Sequence, residues 1–232
     1  MKDQAVYILC IEVANSVTSV AISENGNCIH VKEIAEENKA ADKLHLLIND
    51  LLADSNLLFS QLHAVAISSG PGSYTGLRIG ASAAKGFCFA LDIPMIAIPT
   101  FEAMVYGVQK RYNLTTADQY VPMIDARRME VFTSFYKRDL SLVKSFSSLI
   151  LDEKTGILFD KDQHYLLFGN GAKKTKSILE EDESISFFDD YVPAAVDLCL
   201  LAYSRFGEKN FVDIAYFEPQ YAKPFYSTEV KL

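Results

Sequence analysis

The sequence predicts an α/β protein built as two similar lobes. Three observations carry that reading: strand-like and helix-like runs follow one order, the order occurs twice, and half of the 232 residues are hydrophobic, enough to fill two modest cores.

The first hundred residues set the pattern. Runs at 5–13, 17–23 and 27–34 read as strands of an antiparallel meander, with Asn25-Gly26 marking a type I′ hairpin between the last two. Over 41–56, Leu44, Leu47, Ile48, Leu51 and Leu52 form the apolar stripe of an amphipathic helix. A short strand at 62–68, a glycine-punctuated turn at 70–76, a helix over 77–91, a buried strand at 93–98 and a third helix from about residue 100 complete a βββαβαβα series.

The second half repeats it. Strand-like runs at 119–126, 129–137 and 140–150 precede helices near 152–161 and 172–181, with a strand at 165–168 between them; a strand about 185–188 and a helix over 194–206 follow. Only the topology repeats, not the residues. Two successive units of this kind predict ribonuclease-H-like lobes of the actin, sugar-kinase and chaperone-ATPase superfamily. Gly107 and the polar stretch 109–118 mark the boundary, giving an N-terminal, partner-binding lobe over 1–106 and a C-terminal lobe over 107–232. The extended tail 214–232, with Pro219 and Pro224, is free to pack back on the first lobe or to stay on the second.

A net charge of −8, from 30 acidic against 22 basic residues, argues against a broad surface that holds nucleic acid through phosphate contacts. The opening MKDQAVYILCIEV has too short an apolar stretch for a signal peptide, and no run is long enough to span a bilayer; a cytoplasmic protein without membrane contact is expected. Cys10, Cys28, Cys88 and Cys199 are widely spaced with no CxxC pair, the pattern of four reduced thiols rather than a zinc knuckle or redox motif.

The most specific feature is Ser68-Ser69-Gly70-Pro71-Gly72-Ser73-Tyr74-Thr75-Gly76-Leu77-Arg78-Ile79-Gly80, between a strand and a helix, where backbone N–H groups can face an anion. Its spacing matches neither common phosphate motif: no Gly-Lys-Ser/Thr follows at Walker distance, and Thr75 stands where GxGxxG needs glycine. From the residues alone it is either a tight structural turn or a phosphate cradle.

The stretch SGPGSYTGLRIGASAAKGFCFALDIPMIA, and PMIDARRMEVFTSFY at 122–136, are similar to the signatures of the TsaB (YeaZ) family. The resemblance covers most of the chain, including the opening strands and Gly169-Asn170-Gly171. It implies the non-catalytic partner in bacterial tRNA threonylcarbamoyladenosine synthesis, a relative of TsaD, the metal-carrying enzyme that attaches threonylcarbamoyl to adenosine 37 of ANN-decoding tRNAs. TsaD-like enzymes carry His-Met-Glu-Gly-His soon after the strand that follows this helix, and histidines at i and i+4 share a helical face that can hold a metal. Here the stretch is Thr100-Phe101-Glu102-Ala103-Met104, and neither Thr100 nor Met104 can replace an imidazole for a hard or borderline cation. His30, His45, His63 and His164 lie too far apart in sequence to rebuild the pair.

Kinases and ATPases of the superfamily generally carry an acidic residue and a Gly/Thr-rich hairpin after the first strand, which hold metal and phosphates. Glu12-Val13-Ala14-Asn15-Ser16 has no glycine here, and Glu12 stands where Asp is usual. In the second lobe Asp125, followed by Arg127 and Arg128, occupies the matching place; these charges either pair locally or meet an anion across the cleft. Gly169-Asn170-Gly171 resembles the superfamily's adenosine contact, and is equally what a tight turn demands. The candidate nucleotide-binding residues are therefore Glu12, Gly70, Gly72, Asp125, Gly169 and Gly171, with no cofactor expected in the isolated chain and a nucleotide at a complex interface left open.

Three functions compete: a non-catalytic complex subunit, a small-molecule kinase or ATPase, and a metalloprotease. The missing ligand pair disfavours the last, residues 12–16 the second. For the first, the helix LRIGASAAKGFCFAL is informative: apart from Arg78, Ser82 and Lys85 it holds only apolar or small residues, so most of it must be covered. Gly76, Gly80 and Ala84, four apart, are smooth enough for another helix, and Leu46 stands on the otherwise polar side of 41–56. A partner is expected on Leu46, Ser73, Tyr74, Gly76, Arg78, Gly80, Ser82 and Ala84, the alternative being burial of this face inside the lobe. The resemblance implies a TsaD-like catalytic subunit as that partner, a TsaE-like ATPase joining the pair, and tRNA reached only through the complex; a homodimer of the chain alone stays open.

Overall fold

The computed structural model describes residues 5–35 and 40–221. In the first half, β1 (Tyr7–Glu12), β2 (Thr18–Glu24) and β3 (Asn27–Ile34) form the meander, followed by α1 (Ala40–Asp54), β4 (Ala64–Ser68), α2 (Tyr74–Leu91), β5 (Met95–Ile98) and α3 (Thr100–Arg111). The second half holds β6 (Gln119–Asp125), β7 (Glu130–Lys137), β8 (Leu142–Ile150), β9 (Tyr165–Phe168), the four-residue α4 (Lys176–Leu179), β10 (Ile185–Phe188) and α5 (Cys199–Gly207).

The strands make two five-stranded sheets, ordered β3-β2-β1-β4-β5 and β10-β9-β6-β7-β8. In each sheet the first strand of its half pairs antiparallel with the second and parallel with the fourth, so the two have the same topology. β4 is buried at every position, as expected of a strand covered on both faces. At the β2–β3 turn, Asn25 (φ +51°) and Gly26 (φ +87°) adopt the left-handed pair that a type I′ hairpin needs.

Leu44, Ile48 and Leu51 of α1 reach zero exposure against Leu9, Val20 and Ile22, each contributing roughly 1.5–3 kcal/mol of burial. The opposite face of this sheet, formed by Ile8, Cys10, Ala21, Ala64, Ala66, Ile96 and Ile98, is covered by Ala195, Leu198, Cys199 and Ala202. α5 thus does not complete the second lobe, in whose stretch of sequence it lies. It crosses back to the first, where Cys199 and Ala202 pack on the buried sheet face. α3 takes the complementary place, with Phe101, Met104, Val105 and Val108 packed on Tyr120, Phe132 and Phe168 of the second sheet.

Two expected helices are shorter than the sequence implies. Over 152–161 only a 3-10 turn at Thr155–Leu158 forms, since Ile157 is 82% exposed and no apolar stripe exists to dock a helix. Over 172–181 a 3-10 turn at Ala172–Thr175 precedes α4; the Thr175 hydroxyl bonds back to the Ala172 carbonyl at 2.7 Å and competes with regular winding. Conversely, α2 starts three residues earlier than its apolar pattern indicates, because Ser73 caps it by accepting from the Gly76 N–H at 3.2 Å. Of the extended tail, residues 212–221 lie on the first lobe: Val212 bridges to Met95, and Val212, Ile214 and Phe217 pack on its core. The rest of the tail is outside the described residues.

α2 rests on the chain just after β1 through glycines. A β carbon on Gly76 would penetrate the Val13 carbonyl oxygen and one on Gly72 that of Ala14, while one on Gly80 would collide with a Val13 methyl. Gly86, on the same helix, faces open space. Gly86→Ala should therefore stabilise the protein by about 0.5–1 kcal/mol through helix propensity, and Gly76→Ala should cost more than about 3 kcal/mol or prevent folding. Urea unfolding of the two variants checks both signs.

Candidate functional site

Two regions collect the candidate residues. The first is the strand-end region of the first lobe. Glu12, at the end of β1, is 1% exposed, and its Oε1 accepts the Ala14 N–H at 2.6 Å. Burial pushes this carboxyl up to about 7, with the Ala14 N–H pulling against it. Three backbone donors of the glycine loop beside it are spent on the chain itself: Ser69 N–H donates to Ile98 O at 2.8 Å, Gly70 N–H to the Thr100 hydroxyl at 3.1 Å, and Ser73 N–H to Ala14 O at 2.7 Å. Gln220 of the tail closes the other side, donating to Ser69 O at 2.7 Å and lying where a β carbon on Gly70 would go. Close packing against neighbouring backbone accounts for Gly70 and Gly72.

The pair of positions that carry histidine in the resembling enzymes is filled differently. Thr100 is buried and locks the glycine loop through the Gly70 N–H; Met104 is buried with its methyl under Gly169. Glu102 makes a two-pronged ion pair with Arg205 of α5, at 2.8 and 2.9 Å. No group of three His, Cys, Asp or Glu side chains suited to a metal comes together among the described residues.

In the second lobe, Asp125 ends β6 and is bound by Lys174 and, at 2.6 Å, by the Arg127 N–H. Partial burial raises its carboxyl, but Lys174 and the Arg127 N–H outweigh that and hold it below the usual range. Asn170 accepts the Asp125 N–H at 2.9 Å, and Gly171 donates to Met123 O at 3.1 Å, so this turn is knitted to β6; Gly169 lies against Met123 O. Arg127 and Arg128 stand at the turn with φ of +69° and +48°.

Sequence reasoning missed Asp197. It is buried, takes Arg111 Nε at 2.7 Å, the Tyr191 hydroxyl at 2.9 Å and the Ala194 N–H at 3.2 Å, and holds the crossover that leads into α5. Burial lifts its carboxyl to about 6 against the pull of Arg111. No local pattern announces it, because its partners lie on α3 and on the loop after β10.

The second region is the outer surface of α1 and α2. Gly76, Gly80 and Ala84 do not face outward, as a partner-binding role would need; they are buried against the Val13–Ala14 backbone and the core. The exposed stripe instead runs through Thr75, Arg78, Ser82, Gly86 and Phe89, with Phe89 82% exposed. Leu46 of α1 is 62% exposed, and a shallow groove of about 570 Å³ is lined by His45 of α1 and by Arg78, Ile79, Ser82, Gly86 and Phe87 of α2. Ser73 is the helix cap, and Tyr74 lies half-buried under Arg78.

Two sheets of one topology, with α3 and α5 exchanged between them, define a two-lobed ribonuclease-H-like fold, and the wider fold neighbours agree. The activator of 2-hydroxyisocaproyl-CoA dehydratase from Clostridium difficile matches with a TM-score of 0.52 at 8% identity over 90% of this chain and 99% of that one. YeaZ from Pseudomonas aeruginosa matches with a TM-score of 0.77 at 23% identity over 93% of this chain and 99% of that one. The family model for TsaD, tRNA N6-adenosine threonylcarbamoyltransferase, matches residues 31–216, and the chain belongs to that family. Among relatives, a protein of Escherichia coli named tRNA threonylcarbamoyladenosine biosynthesis protein TsaB is 27% identical over 93% of this chain and 94% of its own length. The same-named protein of Haemophilus influenzae is 35% identical over 59% of this chain, and the match spans 56% of that protein. Among the described residues no helix is long and apolar enough to cross a membrane.

The buried Glu12 gives a pH test. Its folded value of about 7 lies above the ordinary 4.5, so the fold holds a proton that the unfolded chain releases. The associated stability is full below pH 4.5 and lost as pH rises to about 7. Asp197, raised from 3.8 to about 6, adds in the same direction. Glu12→Gln, which keeps an acceptor for Ala14, should match wild type at pH 4.5 and exceed it by about 1–3 kcal/mol at pH 8. Urea unfolding at both pH values measures this; an equal difference at the two would refute it.

Proposed function

We propose that this chain is the non-catalytic subunit of a cytoplasmic complex that transfers a threonylcarbamoyl group to adenosine 37 of ANN-decoding tRNAs, where it stabilises and activates a TsaD-like catalytic subunit. One observation carries the reading: at positions 100 and 104 the chain has a hydroxyl locked onto the glycine loop and a thioether in the core, where the related enzymes have metal-binding histidines. The names of the E. coli and H. influenzae relatives support the pathway. Nothing observed favours a kinase or ATPase: Glu12 is sealed, and the Ser69, Gly70 and Ser73 N–H groups are spent on the chain itself.

In this reading a TsaE-like ATPase joins the pair, tRNA is held through the complex, and the α1–α2 surface seats the catalytic subunit.

Incubated with tRNA and threonylcarbamoyl-adenylate, the isolated chain should give no modified tRNA, and product should appear once the TsaD-like and TsaE-like subunits of the same organism are added. Chelator-sensitive product from the single chain would overturn the proposal. Leu46→Glu and Ser82→Arg, both at exposed positions, should leave the melting temperature within about 2 °C and weaken binding to the TsaD-like subunit by tenfold or more, on the order expected of interface-centre changes. Wild-type affinity in both, measured by calorimetric titration, would move the interface elsewhere.

A further inference from the structure

We infer that Arg78 is a specificity-determining cation of the α1–α2 surface, held in place by an aromatic clamp so as to receive a carboxylate from the helical surface of the TsaD-like subunit; this rests on the partner surface proposed above.

The clamp joins α2 to the returning tail. The Arg78 guanidinium carbon lies 4.2 Å from the centre of the Tyr74 ring and 5.6 Å from that of Tyr221, within the range of cation–π attraction to both. The two rings lie 4.8 Å apart, tilted by 43°, and Arg78 Nε donates to the Tyr221 hydroxyl at 3.3 Å. Nε is thereby engaged, while the terminal nitrogens make no hydrogen bond or ion pair among the described residues. Stacking fixes the plane of the guanidinium and reduces the rotamer entropy that binding would otherwise remove.

Charge indicates what the fork meets. The chain carries a net −8, yet no carboxylate lines the groove beside Arg78; its titratable residues are His45 and Arg78 itself. Glu218 attracts Arg78 from the tail without pairing with it. The remainder of the groove is Ile79, Phe87 and small residues, suited to an apolar helix face. A partner helix covering the groove removes Arg78 from water, and a buried guanidinium needs a paired carboxylate. The occupant is therefore a helix with a mainly apolar contact face and one Asp or Glu set to meet a guanidinium fork. Lysine would bring the charge without the fork or the stacking.

Calorimetric titration against the TsaD-like subunit of the same organism at about 0.05 and 0.3 M salt tests this, since screening separates charge from apolar contact. Arg78→Lys should weaken binding about tenfold at low salt, Tyr221→Leu about threefold, and Arg78→Met should flatten the salt dependence, all with wild-type melting temperatures. Wild-type affinity and salt dependence in Arg78→Lys and Arg78→Met would overturn the inference while leaving the proposed function standing. Loss of self-association alone, with the heterocomplex intact, would assign the clamp to a second copy and overturn it too. Absence of any wild-type complex would remove the proposed function and this inference together. Should Arg78→Met fail to fold, Arg78→Lys and Tyr221→Leu decide the matter.

Discussion

The close approach of α2 to the Val13–Ala14 backbone is the contact on which the rest of the first lobe depends. Glycines at 72, 76 and 80 let the helix descend onto the chain leaving β1, where no side chain would fit. That descent seals Glu12, spends the Ser73 N–H on Ala14 O, and turns Arg78, Ser82 and Phe89 to the outside. A loop that in isolation has the composition of an anion cradle thus becomes a helix seat. Its glycines serve backbone-to-backbone packing, and the helix face opposite them becomes the exposed surface of the molecule.

The lobes are joined by exchange rather than by a simple linker. α3 covers the second sheet and α5 the first, and their crossing is fastened by buried and half-buried charge. Asp197 gathers Arg111, Tyr191 and the Ala194 N–H, while Glu102 pairs with Arg205 across α3 and α5. The pair on buried Asp197 adds little net energy compared with apolar packing, but leaving that carboxylate alone is costly, so it specifies the crossing more than it stabilises it. The raised carboxyls of Glu12 and Asp197 are the other side of that arrangement: both are held where water cannot offset their charge.

The same positions can serve chemistry or packing, and this chain uses them for packing. Thr100 and Met104 sit at the start of α3, one bonded to the glycine loop and the other beneath Gly169, so that they tie the first lobe to the second. In the second lobe Asp125 is engaged by Lys174 and the Arg127 N–H, leaving the guanidiniums of Arg127 and Arg128 as the outward cations of a turn with two consecutive left-handed residues.

How far the sequence alone reached can be judged element by element. Alternation of apolar runs determined the strand order and its duplication, because period-two and period-3.6 patterns report local burial directly; Asn25-Gly26 determined its hairpin for the same local reason. The absent histidines at 100 and 104 were likewise legible, since a residue type can be read without coordinates. The helices near 152–161 and 172–181 came out shorter because propensity could not reveal that Ile157 would stay exposed in the first and that the Thr175 hydroxyl would bond back to the Ala172 carbonyl in the second. Which side of Gly76, Gly80 and Ala84 faced a neighbour, the sequence left undecided between a partner and the chain itself. Only the tertiary structure decided it, by bringing in the Val13–Ala14 backbone, about sixty residues away. Asp197, the crossing of α5 and the Tyr74–Arg78–Tyr221 clamp were invisible for one physical reason: each depends on a group distant in the chain, Arg111, the first sheet and Tyr221 in turn, that arrives only after the sheets have formed.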